Sequence, residues 1–283
     1  MLVPMRFKIS VIVFLLFFSP ICAMGEVFLE DDFESGDLTC PDCGTGDWWG
    51  SVSAAVSSDT AHSGTYSLKF TFEGNETGDA WAEQRFTLGS QETNVYIRYY
   101  IKFPSNYEIR DVSPNNTKMI RLWSESENYS GDEIKSGASI SSSMNIFPEL
   151  HLTYDSGFFL DYHGGLGNAT GLQSLTTWNL SGSLDEWLCL EWHFKPDLGS
   201  GDAALEFWVN GEEQFGGSSL TINNAPPEVA YLLVGYLMGW SNSGFDNDTY
   251  VYIDDVVMSD EYIGPLGEDT TPSSGYFIIS GGT

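Results

Sequence analysis

Four short runs alternate apolar residues with side chains that can bind or transform a ligand. In Val95 to Phe103, the residues Val95, Ile97, Tyr99, Ile101 and Phe103 fall on one side of an extended strand, and Tyr96, Arg98, Tyr100 and Lys102 on the other. In Trp187 to Lys195, the apolar side is Leu188, Leu190, Trp192 and Phe194, which leaves Cys189, Glu191 and His193 opposite, with Trp187 and Lys195. Leu205, Phe207 and Val209 likewise oppose Glu206, Trp208 and Asn210. In Glu149 to Tyr154, Leu150, Leu152 and Tyr154 oppose Glu149, His151 and Thr153. If these strands share a front sheet, its second face is a groove with Tyr and Trp platforms and several titratable groups, equipment that suits a sugar chain. The alternative is a solvated outer sheet with Trp208 half-buried against a loop.

Such a face could run more than one reaction. Elimination on a uronic-acid polymer needs a cation to neutralise the sugar carboxylate, a base for the C5 proton and an acid for the leaving oxygen. Arg98, Tyr100, His151 and His193 supply those types, with Tyr96, Lys102, Trp208 and Glu206 as substrate-binding neighbours. Hydrolysis needs two carboxylates about 5 to 10 Å apart, and Glu191 and Glu206 have the parity for it. The E-x-D-x-E strand of sandwich glucanases is absent. The two E-x-H runs, Glu149/His151 and Glu191/His193, offer zinc ligands only if the fold makes them neighbours.

The chain that carries these residues is strongly acidic: 283 residues, 40 Asp and Glu against 11 Lys and Arg, and a formal charge of −29. Arg6 and Lys8 precede the apolar run Ile9 to Phe18, and Ala23-Met24-Gly25 offers small residues for cleavage, the pattern of a secretory signal over residues 1–25. Cys22 leaves with that leader, and Ile21 is a poor residue before a lipidated cysteine. Removing 25 residues and two cations leaves 258 residues at −31. That charge excludes nucleic acid and an anionic membrane as partners, since both demand clustered Lys and Arg. With 42% apolar and 14% aromatic residues the chain nevertheless builds a core. The acid therefore lies outside, a surface that fits a saline, extracellular setting.

The dominant period is two, in runs broken by Gly, Ser, Asn and Asp, with no convincing helix longer than two turns. Strands are expected at Tyr66 to Phe72, Ala82 to Leu88, Val95 to Phe103, Lys118 to Trp123, Glu149 to Tyr154, Phe158 to His163, Trp187 to Lys195, Ala204 to Asn210, Tyr231 to Trp240 and Tyr250 to Met258. Ten or more strands without a repeat or long linker predict an all-β protein with one large sandwich, residues 26–266, followed by a linker-like tail at 267–283. Oligomeric state is left open. Cys40 and Cys43, with no second pair for a zinc ribbon, are expected to form a local disulfide, and Cys189 to be a buried thiol. Six N-x-S/T sequons, at Asn75, Asn115, Asn128, Asn168, Asn179 and Asn247, fall in loops or strand edges.

Three short motifs and two paired strands carry a resemblance. Asp32-Phe-Glu-Ser-Gly36, His62-Ser-Gly-Thr-Tyr-Ser-Leu-Lys-Phe70 and Tyr252-Ile-Asp-Asp-Val256 resemble secreted concanavalin A-like jelly-roll proteins, a superfamily of polysaccharide lyases and carbohydrate-binding modules. Trp187-Leu-Cys-Leu-Glu-Trp-His-Phe-Lys195 with Leu205-Glu-Phe-Trp-Val-Asn-Gly211 is similar to paired strands of its heparin-lyase-like group, and Gly235 to Trp240 followed by Asp248 to Asp254 extends the match. The resemblance implies a jelly roll of two antiparallel sheets and a polysaccharide ligand on the concave one, either for a lyase or for a non-catalytic lectin-like module. It also implies a structural calcium ion (Ca²⁺) held by Asp32, Glu34 and Asp254 with backbone oxygens of the His62 to Ser67 loop. Glu149-Leu-His151 is similar to the Gln-x-His strand of alginate lyases, with a carboxylate in place of the amide. A carboxylate there repels a uronate unless protonated, so either the substrate is neutral or Glu149 lies elsewhere.

Overall fold

The computed structural model describes residues 25–40, 42–112, 116–123, 147–153, 157–163, 174–196, 201–220 and 231–267. The expected leader, except Gly25, and the tail beyond Gly267 lie outside the described residues. Strands begin with β1 (Val27–Asp31), β2 (Asp47–Val52), β3 (Ala54–Ser57), β4 (Ser67–Phe72), β5 (Ala80–Trp81) and β6 (Glu83–Glu92). They continue with β7 (Val95–Lys102), β8 (Asn116–Trp123), β9 (Phe147–Thr153), β10 (Gly157–His163) and β11 (Ser174–Asn179). The last six are β12 (Trp187–Lys195), β13 (Ala203–Val209), β14 (Glu212–Leu220), β15 (Leu232–Leu237), β16 (Trp240–Ser241) and β17 (Thr249–Ser259). The expected all-β class holds, and the ten expected strands are present with ends shifted by a few residues.

Two antiparallel sheets form. One runs β14-β13-β12-β7-β17-β4-β3, with β1 paired to the far half of β17. The other runs β11-β10-β9-β8-β15-β6-β2, with β5 and β16 at one end. Between them lies the core that alternation demands: Ile97, Tyr99, Ile101, Leu190, Trp192, Phe194, Leu205 and Phe207 from the first sheet meet Phe86, Leu88, Ile120 and Leu122 from the second, all essentially inaccessible. The parity read from the sequence for β7, β12 and β13 is therefore the parity of the fold.

The sandwich puts a sharp demand on one glycine. β15 sits between β6 and β8, and Gly235 points into the core, where a Cβ would overlap the Arg121 carbonyl oxygen and come within 2.6 Å of the Phe86 ring. Gly182, in the 3₁₀ turn Leu180–Gly182, has open space at the same distance. Gly235→Ala is thus expected to cost about 1 to 3 kcal/mol through overpacking, against a near-neutral Gly182→Ala, as read by denaturant unfolding. Equal stability of the two variants would show that β15 can shift away from its neighbours.

Candidate functional site

The expected groove face exists as a surface of the first sheet, and the chain itself covers it. Register joins Trp208, Glu191 and Arg98 in one cross-strand row, Glu206, His193 and Tyr96 in the next, and Cys189 with Tyr100 in a third. The segment after β17 crosses these rows. Ile263 N–H and Gly264 N–H each donate to a different oxygen of Glu191, both at 2.8 Å, and Leu266 N–H donates to Tyr100 Oη at 2.7 Å. The Tyr262 ring meets Trp208 edge-on, with centroids 5.3 Å apart. From the other side the His62 ring stacks on Tyr100 at 3.5 Å. Arg98 donates to the Asp255 carbonyl at 2.8 Å, and His193 sits against Tyr96 with one ring nitrogen 2.6 Å from Glu206 and the other 2.6 Å from Asn94.

Consequently Arg98, Glu191, His193 and Trp208 are all more than nine-tenths buried. This departs from the expected catalytic groove at Arg98, Tyr100, Glu191 and His193: all four are buried and each has a partner within the chain, although Arg98 Nε itself has none. Trp208 is buried although it lies on the outer face, because the Tyr262 segment covers it. Hydrolysis by Glu191 and Glu206 meets the same obstacle at Glu191. His151 and Glu149 belong to β9 of the other sheet, so the two E-x-H runs are not brought together and the zinc pairing is ruled out. Tyr96 and Lys102 remain part-exposed on the strapped face.

The residues expected to hold calcium form a clasp instead. Asp254 accepts His62 N–H at 2.7 Å, Ser63 N–H at 3.2 Å and Asp255 N–H at 2.8 Å. One Glu34 oxygen accepts Thr65 and Tyr66 N–H, both at 2.7 Å, and Asp32 accepts Glu34 N–H at 3.1 Å. A cation needs converging oxygens, whereas here N–H donors converge on the carboxylates, so the set does not fit a metal as it stands. Among the described residues, the three-residue group close enough to share an ion is Asp31, Cys40 and Cys43, and the two cysteines form the expected disulfide. Gly64, at φ +61, is required because a Cβ there would run into the Glu34 carboxylate. The resembling motifs at 32–36, 62–70 and 252–256 thus bind one another.

A second row of functional types lies on the outer face of the other sheet. Register places Trp49 beside Arg85, Arg85 beside Tyr236, Tyr236 beside Arg121, and Arg121 beside Glu149. One step along, Lys118 pairs with His151. Arg85 makes an ion pair with Glu83 and lies 5.2 Å from the centre of the Trp49 ring, while Lys118 Nζ is 3.4 Å from Asn242 Oδ1. Sequence reading missed Arg85, Arg121, Tyr236 and Trp49. The available signal was Glu83 and Arg85 against Ala82, Gln84 and Phe86, but on β8 the register shifts between Lys118 and Ile120, so simple alternation cannot put Lys118 and Arg121 on one face.

No family model matches the sequence, and no curated protein matches it. Among solved structures, the chain is similar to an endo-β-1,4-glucuronan lyase from the fungus Trichoderma reesei, at 14% identity over 76% of this chain and 92% of that one, with a TM-score of 0.57. It is also similar to an alginate lyase from Chlorella virus, at 11% identity over 76% and 93% with a TM-score of 0.54. A third likeness is a marine alginate lyase from Aplysia kurodai, at 14% identity over 77% and 90% with a TM-score of 0.53. At these identities the likeness is one of fold: the sandwich is the jelly roll on which those lyases are built.

Two measurements check the strapped face. Burial raises Glu191 to about 7 despite its two N–H donors and Arg98, and burial with the neighbouring Asp255 raises Asp254 to about 6. A carboxyl raised in the folded state holds its proton more tightly there, so stability falls as pH climbs from the ordinary carboxylate range to about 7 and is flat above. Glu191→Gln is expected to flatten that fall, by up to about 3 kcal/mol between pH 5 and 8. Parallel profiles for wild type and variant would show that Glu191 is solvated. Trp208→Ala is expected to lose about 3 kcal/mol of stability; a loss of glycan binding at unchanged stability would return this face to the site.

Proposed function

We propose that the protein is a secreted polysaccharide-active enzyme, a lyase that binds a uronate-containing chain across the outer face of the nine-stranded sheet. The observation that carries this reading is the part-exposed Trp49, Arg85 and Arg121, in one cross-strand row about the buried Tyr236, with the Lys118–His151 register pair beside it. Three of the nine cations beyond the leader stand on this one face, in a chain with 40 carboxylates. Such a concentration suits the sugar carboxylates of a polyuronate. The jelly-roll fold shared with alginate and glucuronan lyases supports the same class.

In the elimination, Arg121 would neutralise the C5 carboxylate and so acidify the C5 proton. His151 takes that proton, the electron pair forms the C4–C5 double bond, and the C4–O bond breaks. Lys118, at the paired register position, returns a proton to the leaving oxygen. Glu149 pairs with Arg121 in register, which allows the arginine to answer the carboxylate that replaces the alginate-lyase amide. A non-catalytic glycan-binding module is the second reading, and the Glu83–Arg85 ion pair, which already engages one cation of the row, favours it.

Incubation with alginate, glucuronan and heparin separates the two. The lyase reading expects an unsaturated, ultraviolet-absorbing uronate product, lost about 100-fold or more in Arg121→Ala and His151→Ala at unchanged unfolding midpoint. Glycan binding without any unsaturated product would establish the lectin-like reading. Product formation undiminished in both variants would place the chemistry elsewhere.

A further inference from the structure

Trp81 and Trp240 are two of the few large hydrophobic side chains exposed among the described residues, at 37% and 39%. They are cross-strand partners on β5 and β16, with ring centres 5.8 Å apart and planes 49° apart. Their edges are fixed: Trp81 Nε1–H donates to Glu83 at 3.0 Å and Trp240 Nε1–H to Asp79 at 2.8 Å. With both indole N–H groups engaged, only the ring faces remain for a ligand, and they are already oriented. Next to them a cavity of about 430 Å³ is lined by Asp79, Glu76, Asn242 and Val112, the last 61% exposed. A pair of oriented, exposed indoles beside a polar-rimmed cavity is a costly surface for a soluble protein unless it is covered by a ligand.

We propose that Trp81 and Trp240 form a stacking platform for an uncharged pyranose of a glycan chain. The apolar face of a sugar ring matches an aromatic face, and the polar rim can accept its hydroxyl protons. The platform belongs to the same outer face as the charged row, since Trp81, Glu83 and Arg85 alternate on one side of β5 and β6, about 13 Å from first to last at strand spacing. Charge separates the two ends. The platform rim carries Glu76 and Asp79; Arg110 there is held by Asn75 at 3.2 Å, by the Ser243 carbonyl at 2.7 Å and by the Gly78 carbonyl, and Lys118 Nζ lies 3.4 Å from Asn242 Oδ1 at the cavity edge. The exposed Glu76 and Asp79 carboxylates disfavour a uronate on the rings themselves, so the platform takes a neutral ring while the cations of the row take the acidic one. This goes beyond the lyase reading and does not depend on its chemistry.

Calorimetric titration with two sets of hexasaccharides tests it, one neutral (cello-, xylo- and mannohexaose) and one acidic (hexamers from alginate and glucuronan). A neutral hexamer is expected to bind, with affinity falling about 5- to 100-fold in Trp81→Ala and Trp240→Ala. Trp240→Phe keeps a ring and should retain most of it, whereas Trp240→Leu keeps apolar area without a ring and should not. Unfolding midpoints of the four variants guard against a folding defect. If Arg121→Ala weakens acidic hexamers while no glycan responds to either tryptophan, the platform is overturned and the charged row stands. If neutral hexamers respond to the tryptophans and no glycan responds to Arg121→Ala, the row fails and the platform stands. Binding of no hexamer overturns both. A concentration-dependent dimer that disappears in the tryptophan variants, without any glycan effect, also overturns the platform and makes the pair a self-association surface.

Discussion

The fold turns on a bulge in β17. Between Asp254 and Val257 the pairing with β7 skips, and Asp255 adopts φ 48 to make the turn, a conformation Asp tolerates better than most residues. The carbonyl thrown out of the ladder is taken by Arg98 from β7. The aspartate side chains at the bulge reach over to the 62–66 loop: Asp254 receives two backbone N–H groups, and Asp255 receives Ser63 Oγ at 2.8 Å and a His62 ring nitrogen at 2.6 Å. Beyond the bulge β17 pairs with β1, which brings the start of the described chain into the sheet. One irregularity thus joins the amino-terminal strand, the loop and the centre of the sheet.

That arrangement explains why the two sheets differ in their outward faces. On the first, closure needs partners for Arg98, Glu191 and Tyr100, and the Tyr262 to Leu266 segment supplies backbone N–H groups and an aromatic cover. Both Glu191 oxygens and the Tyr100 hydroxyl find partners there, and the cost of burying Glu191 appears as its raised proton affinity. On the second sheet Tyr236 is also buried, but its neighbours Trp49, Arg85 and Arg121 stay part-exposed.

Sequence reading recovered the architecture because alternation is a local property. β7, β12 and β13 show their core parity residue by residue, and the neighbour relation of Glu191 with Trp208 follows the expected pairing of β12 with β13, whereas that of Glu191 with Arg98 comes only from the long-range β7–β12 contact. Whether an outward residue is solvated, however, depends on what crosses it, and Ile263, Gly264 and Leu266 are some seventy residues or more beyond β12 with nothing in their composition to announce a strap. The same limit hid the clasp: Asp32, Glu34 and Asp254 look like oxygen ligands in sequence, and only the placement of the 62–66 loop shows that they face N–H donors. On the nine-stranded sheet, the bulge on β8 broke the alternation that would have united Lys118 with Arg121. Trp81 and Trp240, 159 residues apart, become one feature only through the β5–β16 pairing.

Net charge and local charge then make opposite demands on an acidic ligand, and distance decides between them. Across many tens of ångströms a chain at −29 repels a polyanion. In about 0.15 M salt, however, charges separated by more than about 8 Å are largely screened, so a carboxylate in contact with the nine-stranded sheet responds to the local set, Arg85 with its partner Glu83, Lys118, and Arg121 with its register neighbour Glu149, rather than to the net charge. More salt lowers the repulsive barrier to approach, while contacts within a few ångströms on a partly desolvated surface lose less. An acidic coat and a small basic row are therefore compatible where ionic strength is high.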